Sequence, residues 1–199
     1  LFFLANPNAP TGVFYPLDAI EAFCRRFHGV VLADEAYVDF SGGRSCLELA
    51  KRLPNVLVCR TMSKSFSLAG LRMGWAIGSA ELIGALYKLK DSYNVDRLAQ
   101  AVALAALDDV PWMQANAARL VATRERMSAE LAKRGFRVVP SATNFLFVEP
   151  PAGRTAADLF ADLRRQKILV RYFPGERTGR YLRVSIGTDA EMDAFLSAL

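Results

Sequence analysis

The chain has 199 residues, 52% hydrophobic and 23% charged, which fits a globular protein long enough for a substantial core in one or two domains. No apolar run approaches the ~20 residues that a membrane-spanning helix needs. The net charge of +5 is spread along the chain without a basic–aromatic run, so neither a membrane nor nucleic acid is an expected partner and small anionic ligands suit the excess.

Three cysteines, widely separated and without CxxC spacing, predict reduced thiols in a cytoplasmic protein. The single histidine, His28, argues against a histidine-based metal site or catalytic triad, and no metal is expected. Residues 1–12 lack a basic n-region and a long apolar run, so they do not read as a signal peptide. They read as a strand in progress, as if the chain began inside a larger domain.

Residues 1–4 are apolar and β-prone, and Asn6-Pro7-Asn8-Ala9-Pro10-Thr11-Gly12 breaks them. That loop reads either as a ligand loop at a strand end or as a plain connector. From Pro16 to Phe27, apolar residues at Leu17, Ile20, Phe23, Cys24 and Phe27 predict a helix with Pro16 in its first turn, stopped by Gly29. Val30–Ala33 is a buried strand ending directly on Asp34-Glu35-Ala36-Tyr37, a carboxylate pair that is costly to bury unless partnered. Strand–helix–strand at this spacing is a βαβ pattern, which implies a mainly parallel sheet with ligands at the strands' carboxyl ends.

A Gly/Ser-rich stretch from Ser41 leads into a short helix ending near Arg52. A strand over Asn55–Cys59 follows, then a Ser-rich turn carrying Lys64, then a strand over Arg72–Gly78. Helices are predicted over Ala80–Lys90 and Val95–Leu107. After a helix start at Asp108–Pro111, one long amphipathic helix runs over Trp112–Arg134 to link two domains, and Gly135 ends it. Strands at Phe136–Val139, Asn144–Val148, Ile168–Tyr172 and Tyr181–Ile186, with helices at Ala156–Gln166 and Asp189–Leu199, make a small α+β domain. The expected division is therefore residues 1–110 and 111–199.

Of the six lysines, five fall on or beside segments read as exposed helix, and Lys64 does not. Three strand ends carry unusual polar groups: Asn6–Gly12, Asp34 with Tyr37, and Lys64 with Ser63 and Arg72. In a parallel sheet these ends share one rim, so one ligand could use them all. An amine, a carboxylate for a protonated ring nitrogen, a phenol for a ring oxygen, and hydroxyls at Thr61 and Ser63 with a guanidinium for a phosphate together match pyridoxal phosphate. The GxGxxG and GxxxxGK[ST] nucleotide fingerprints are absent.

At these residues the chain resembles the fold-type I pyridoxal-phosphate aminotransferases, most closely the histidinol-phosphate aminotransferases. The segments that carry the resemblance are NPNAPTG at Asn6–Gly12, VVLADEAYVDF at Val30–Phe40, RTMSKSFSLAGLRMGWAIG at Arg60–Gly78, PSATNFLFV at Pro140–Val148, ILVRYF at Ile168–Phe173 and YLRVSIGT at Tyr181–Thr188. The resemblance implies an α/β, aspartate-aminotransferase-like fold: part of a large, mainly parallel sheet domain plus a small C-terminal α+β domain. It implies a cytoplasmic homodimer that moves an amino group between an amino-acid-like phosphate ester, histidinol phosphate, and 2-oxoglutarate. A threonine-phosphate decarboxylase shares the motifs, and a non-catalytic fragment or binding module is the reading from another class.

Residue by residue, the resemblance makes Lys64 the lysine that joins the cofactor and moves the proton at the substrate's Cα. Asp34 becomes the partner of the ring nitrogen and Tyr37 that of the ring oxygen. Thr61, Ser63 and Arg72 become the phosphate ligands. Arg183 would clamp a substrate carboxylate, where a planar bidentate donor suits and a lysine would not. Arg171 would meet the substrate's side chain, plausibly its phosphate. By its alternation with apolar neighbours alone, Arg183 could equally face solvent. Asn144 reads either as a substrate-side residue or as a structural bridge.

The sequence departs from the family at Ala9, where an asparagine usually precedes Pro-Thr-Gly. Either Asn8 reaches in from a shifted loop or that contact is lost, at ~1 kcal/mol for one neutral hydrogen bond. The family's enzymes are also considerably longer, so this chain alone is expected to bind the cofactor weakly or fold poorly.

Overall fold

The computed structural model describes residues 1–199 and divides them into two compact units: Leu1–Asn8 with Phe14–Ala117, and Ala9–Val13 with Ala118–Leu199. In the first unit the apolar runs become β1 (Phe2–Ala5), β2 (Val31–Asp34), β3 (Val56–Thr61) and β4 (Gly74–Ile77), in that spatial order. β1, β2 and β3 are parallel, with Ala5 beside Asp34 and Asp34 beside Cys59, so their carboxyl ends lie side by side. β4 returns antiparallel to β3, placing Gly74 opposite Thr61.

Helices α1 (Leu17–Arg26) and α2 (Leu47–Arg52) are the two crossovers. They bury Ile20, Cys24, Leu49 and Ala50 in one cluster with Val31, Ala33, Val56 and Val58. Pro16 is the residue that precedes α1 rather than part of its first turn. Beyond β4, α3 (Ala80–Leu89) and α4 (Arg97–Asp108) start on side-chain caps: Ser79 Oγ accepts from the Leu82 amide and Asp96 Oδ1 from the Ala99 amide.

The long helix α5 runs over Val110–Lys133, and the two units divide within it, between Ala117 and Ala118. Gly135, at φ +81°, ends it. The second unit is an antiparallel sheet in the order β5 (Arg137–Val139), β6 (Phe145–Glu149), β8 (Leu182–Ser185), β7 (Arg171–Tyr172). With α6 (Ala156–Arg165) and α7 (Asp189–Ser197) it encloses Met127, Leu131, Leu146, Val148, Leu159, Leu163 and Leu182.

Two further local outcomes differ from the sequence-based expectations, each for a backbone reason. The strand expected over Ile168–Tyr172 pairs only at Arg171–Tyr172. Its first residues close α6 instead: Lys167 is left-handed at φ +63° and the Ile168 amide donates to Leu163 O at 2.9 Å, a Schellman-type ending. Asp189 opens α7 as expected, directly after its cap Thr188, which forms a capping box with Glu191. Ala9–Val13 belongs with the second unit: the Ala142 amide donates to Gly12 O at 2.8 Å. Gly12 has φ +83°, and a Cβ there would stand 2.6 Å from Ser141 Oγ, so only glycine fits.

Candidate active site

The first unit's rim is built by period-2 alternation at the end of β2. Asp34 is exposed, and its Oδ1 accepts from the Ala36 amide at 3.0 Å. Glu35, one residue on, faces the opposite way and is 1% exposed. There it accepts from Arg60 Nε at 3.1 Å and Nη2 at 3.0 Å, from Ser45 Oγ at 2.8 Å and from the Cys46 amide. The acidic pair therefore splits: Asp34 is offered to the rim, and Glu35 is a buried charge whose partners cover it.

Tyr37 follows on a turn that leads into a single 3-10 turn over Val38–Phe40. Lys64 comes from the end of β3, and its Nζ lies 5.2 Å from the centroid of the Tyr37 ring, within cation–π range. Lys64 is half-buried, whereas Lys51, Lys88, Lys90, Lys133 and Lys167 are all exposed. Between β3 and Lys64 sits a hydroxyl pair: Thr61 Oγ1 is 2.9 Å from Ser63 Oγ and also accepts from the Ser63 amide at 3.1 Å. Arg72 adopts a left-handed conformation at φ +57° after a 3-10 turn over Ala69–Leu71. It is exposed, with Nη1 donating to Ala69 O at 2.9 Å.

At β1 the break is organised by Asn6 rather than Asn8. Asn6 is fully buried, its Oδ1 accepting from the Tyr15 amide at 2.8 Å and its Nδ2 donating to Tyr15 O at 3.3 Å, which closes the loop on itself. Asn8 is half-buried at the end of that unit's segment, and Ala9 is exposed. The rim thus brings Asp34, Tyr37, Thr61, Ser63 and Lys64 to adjoining strand ends. Burial raises the thiols behind it: Cys59 by desolvation and then by Asp34, and Cys46 to about 12 by desolvation and then by Glu35.

The second unit holds the remaining candidates. Arg183, in the middle of β8, stands directly opposite Arg171 of β7, a like-charge pair that strand pairing alone disfavours. Its guanidinium carbon lies 5.0 Å from the centroid of the Phe145 ring and 5.3 Å from that of Phe173, and Arg171 lies 5.4 Å from Phe173. Arg183 Nε is buried and has no hydrogen-bond partner. Two arginines against aromatic faces, one with an unpaired buried donor, have the chemistry that suits an anion. Asn144 is half-buried, and its backbone O accepts from the Ile186 amide at 2.9 Å.

Sequence reasoning noted Glu35 and Asn6 without giving either a role of its own, and passed over Arg60, Ser45 and the two phenylalanines. The carboxylate pair signalled that a partner was needed. The distance in sequence to Arg60 and Ser45 hid which residues supplied it.

The family model described as Aminotransferase class I and II matches residues 1–199. The histidinol-phosphate aminotransferase of Syntrophotalea carbinolica is 47% identical over 199 residues, covering 100% of this chain and 57% of its own length. Among solved structures, histidinol-phosphate aminotransferase from Sinorhizobium meliloti in complex with pyridoxal-5'-phosphate matches with a TM-score of 0.89 and 30% identity, over 99% of this chain and 55% of that one. L-threonine-O-3-phosphate decarboxylase from Porphyromonas gingivalis has the same fold, with a TM-score of 0.85 at 22% identity over 98% and 62% of the two chains. The chain spans little more than half the length of these relatives. With a match that runs unbroken through the strand-end loops and the paired arginines alike, the chain belongs to the aminotransferase class I and II family.

Proposed function

We propose that this chain is part of a pyridoxal-phosphate-dependent aminotransferase that exchanges an amino group between histidinol phosphate and 2-oxoglutarate, giving imidazole acetol phosphate and glutamate. The observation that carries the reading is Lys64. It is the one lysine that is not exposed, and its Nζ lies over Tyr37 on the rim that also presents Asp34. The match to a histidinol-phosphate aminotransferase at 47% identity supports the choice of amino donor.

The donor set fits the cofactor. The Thr61–Ser63 hydroxyl pair and the Arg72 guanidinium suit a phosphate, and a carboxylate and a phenol stand together at the end of the neighbouring strand β2. When bound, the cofactor supplies an electron sink for a Cα carbanion. In this reading the residues divide the work. Asp34 keeps a ring nitrogen protonated, Tyr37 holds a ring oxygen, and Thr61, Ser63 and Arg72 fix the phosphate. Lys64, as the free amine, forms the covalent link and moves the proton at the substrate's Cα.

At the ring oxygen either Asn8 would add a second contact from a shifted loop or Tyr37 would serve alone. Arg183 and Arg171 take the substrate's anionic groups, the unpaired Nε of Arg183 being the donor a bound anion would satisfy. Asn144 lies at the substrate side. We also propose a cytoplasmic homodimer, with residues 1–110 in the large cofactor domain and 111–199 in the small one.

Reduction with borohydride in the presence of the cofactor is expected to label the full-length protein at Lys64, and Lys64→Ala to abolish the label. Equal labelling of both would end the enzyme reading. Product analysis separates the reactions: an oxo product with glutamate formed from 2-oxoglutarate is expected, whereas carbon dioxide without an oxo product would make the protein a decarboxylase.

A further inference from the structure

The turn that carries Lys64 is held at its base by its own backbone. The Met62 amide donates to Met73 O at 3.1 Å, the Leu68 amide to Met62 O at 3.0 Å, and the Ser67 amide to Lys64 O at 3.0 Å. None of these bonds sets how the turn stands against the Tyr37 turn beside it. A side-chain bond does span the two turns: Ser65 Oγ donates to Asp39 Oδ2. Ser65 follows Lys64 directly and is 6% exposed, so the donor end of the bond is buried and the Asp39 end half-buried.

Asp39 sits in the 3-10 turn between Val38 and Phe40, which are 4% and 3% exposed. Backbone bonds from Val38 to Glu35 O, from Phe40 to Tyr37 O and from Ser41 to Val38 O brace that turn. It is a seated anchor, not a mobile loop. The strands below are already tied by the β2–β3 ladder and by Glu35 with Arg60, so β2 and β3 do not need the Asp39–Ser65 bond in order to pair.

We infer that Asp39 and Ser65 are positioning residues that hold the Lys64 amine over Tyr37. This rests on the functional reading above. Lysine's four-carbon stem is rotamer-rich, so fixing the backbone one residue away restricts where the amine can go. The bond sets the distance between the proton-moving amine and the phenol. The substrate does not touch it, so it acts on the chemical step and not on affinity.

The test uses the full-length holoenzyme with Ser65→Ala, Asp39→Ala, Asp39→Asn and the double alanine variant. The alanine variants are expected to lower kcat about tenfold with KM within about twofold, a loss in scale with a sub-ångström displacement. They are also expected to move the midpoint of the bound cofactor's visible absorbance against pH by about half a unit or more, because the surroundings of the amine change. Asp39→Asn keeps an acceptor oxygen and should restore both readouts. The double variant should be no worse than either single.

Additive losses, no rescue by asparagine, or a lowered melting temperature with an unmoved spectral midpoint would each overturn the inference. Borohydride labelling of the wild type runs in parallel. Absence of label at Lys64 overturns the functional reading and this inference together, whereas normal label with unaffected variants overturns this inference alone.

Discussion

Glu35, just past the end of β2, and Arg183, within β8, both put charged side-chain atoms out of reach of water, one in each unit, and the protein treats them in opposite ways. Glu35 receives hydrogen bonds from Arg60, Ser45 and the Cys46 backbone. Arg183 keeps a buried Nε with no partner and faces another arginine across its strand pair. Breaking a covered charge pair strands its partners, so Glu35 belongs to the architecture of the rim. An uncovered donor costs stability in the free protein, and that cost is recovered only when an anion arrives. Burial of a charge therefore does not by itself mark a binding residue, and it is the unmet hydrogen-bonding capacity that makes Arg183 a candidate for one.

The sharpest way to break this comparison is to truncate both residues. Glu35→Ala should destabilise the protein by roughly 3–5 kcal/mol in a urea titration, because Arg60 and the Cys46 amide lose their acceptor. Arg183→Leu should leave the urea midpoint unchanged or slightly raised, yet lower kcat/KM for the phosphate-bearing donor by roughly a hundredfold, with Arg183→Lys failing to rescue it. If Arg183→Leu destabilised as strongly as Glu35→Ala, the distinction between covered and uncovered charge would collapse.

A smaller effect probes the second unit's frame, away from either charge. Thr188→Ala removes the capping box of α7 and should cost ~1 kcal/mol without altering kcat/KM. At low pH the same cap should weaken. The Thr188 backbone N–H, and then its hydroxyl, hold Glu191 below its ordinary value of 4.5, so this support is present above that value and is lost as pH falls through the lowered folded-state value.

Cys46 gives the last and subtlest reading of the covered charge. Burial and the adjacent Glu35 push its thiol up to about 12 from 9.0. A raised thiol means that stability is full below 9.0 and declines as pH climbs from there toward 12. Native protein at pH 8 should resist alkylation at Cys46, and Glu35→Gln should ease that resistance only slightly, since desolvation is the larger cause. Rapid native alkylation would mean that the Glu35 cluster opens to water.

How much of this was legible beforehand can be followed residue by residue. Asp34, Tyr37, Ser63 and Lys64 stood out because each breaks a pattern, a polar group ending an apolar strand, and the βαβ spacing already implied that such ends share a rim. The start of α7 at Asp189 was legible, whereas the capping box that Thr188 forms with Glu191 depends on which side chain reaches back. The shortened β7 was missed because its apolar run also served to close α6, and a Schellman-type bond took the amide that a strand would have used.

The sequence by itself determined the order of strands and helices, the rim chemistry and the exceptional lysine, because these rest on periodicity and on polar residues placed where packing cannot explain them. Only the tertiary structure decided that Glu35 is covered, that Arg183 is not, that Ala9–Val13 belongs with the second unit, and that Ser65 reaches Asp39. Those outcomes depend on partners 10 to 130 residues away in the chain, and a local pattern carries no information about distance in space.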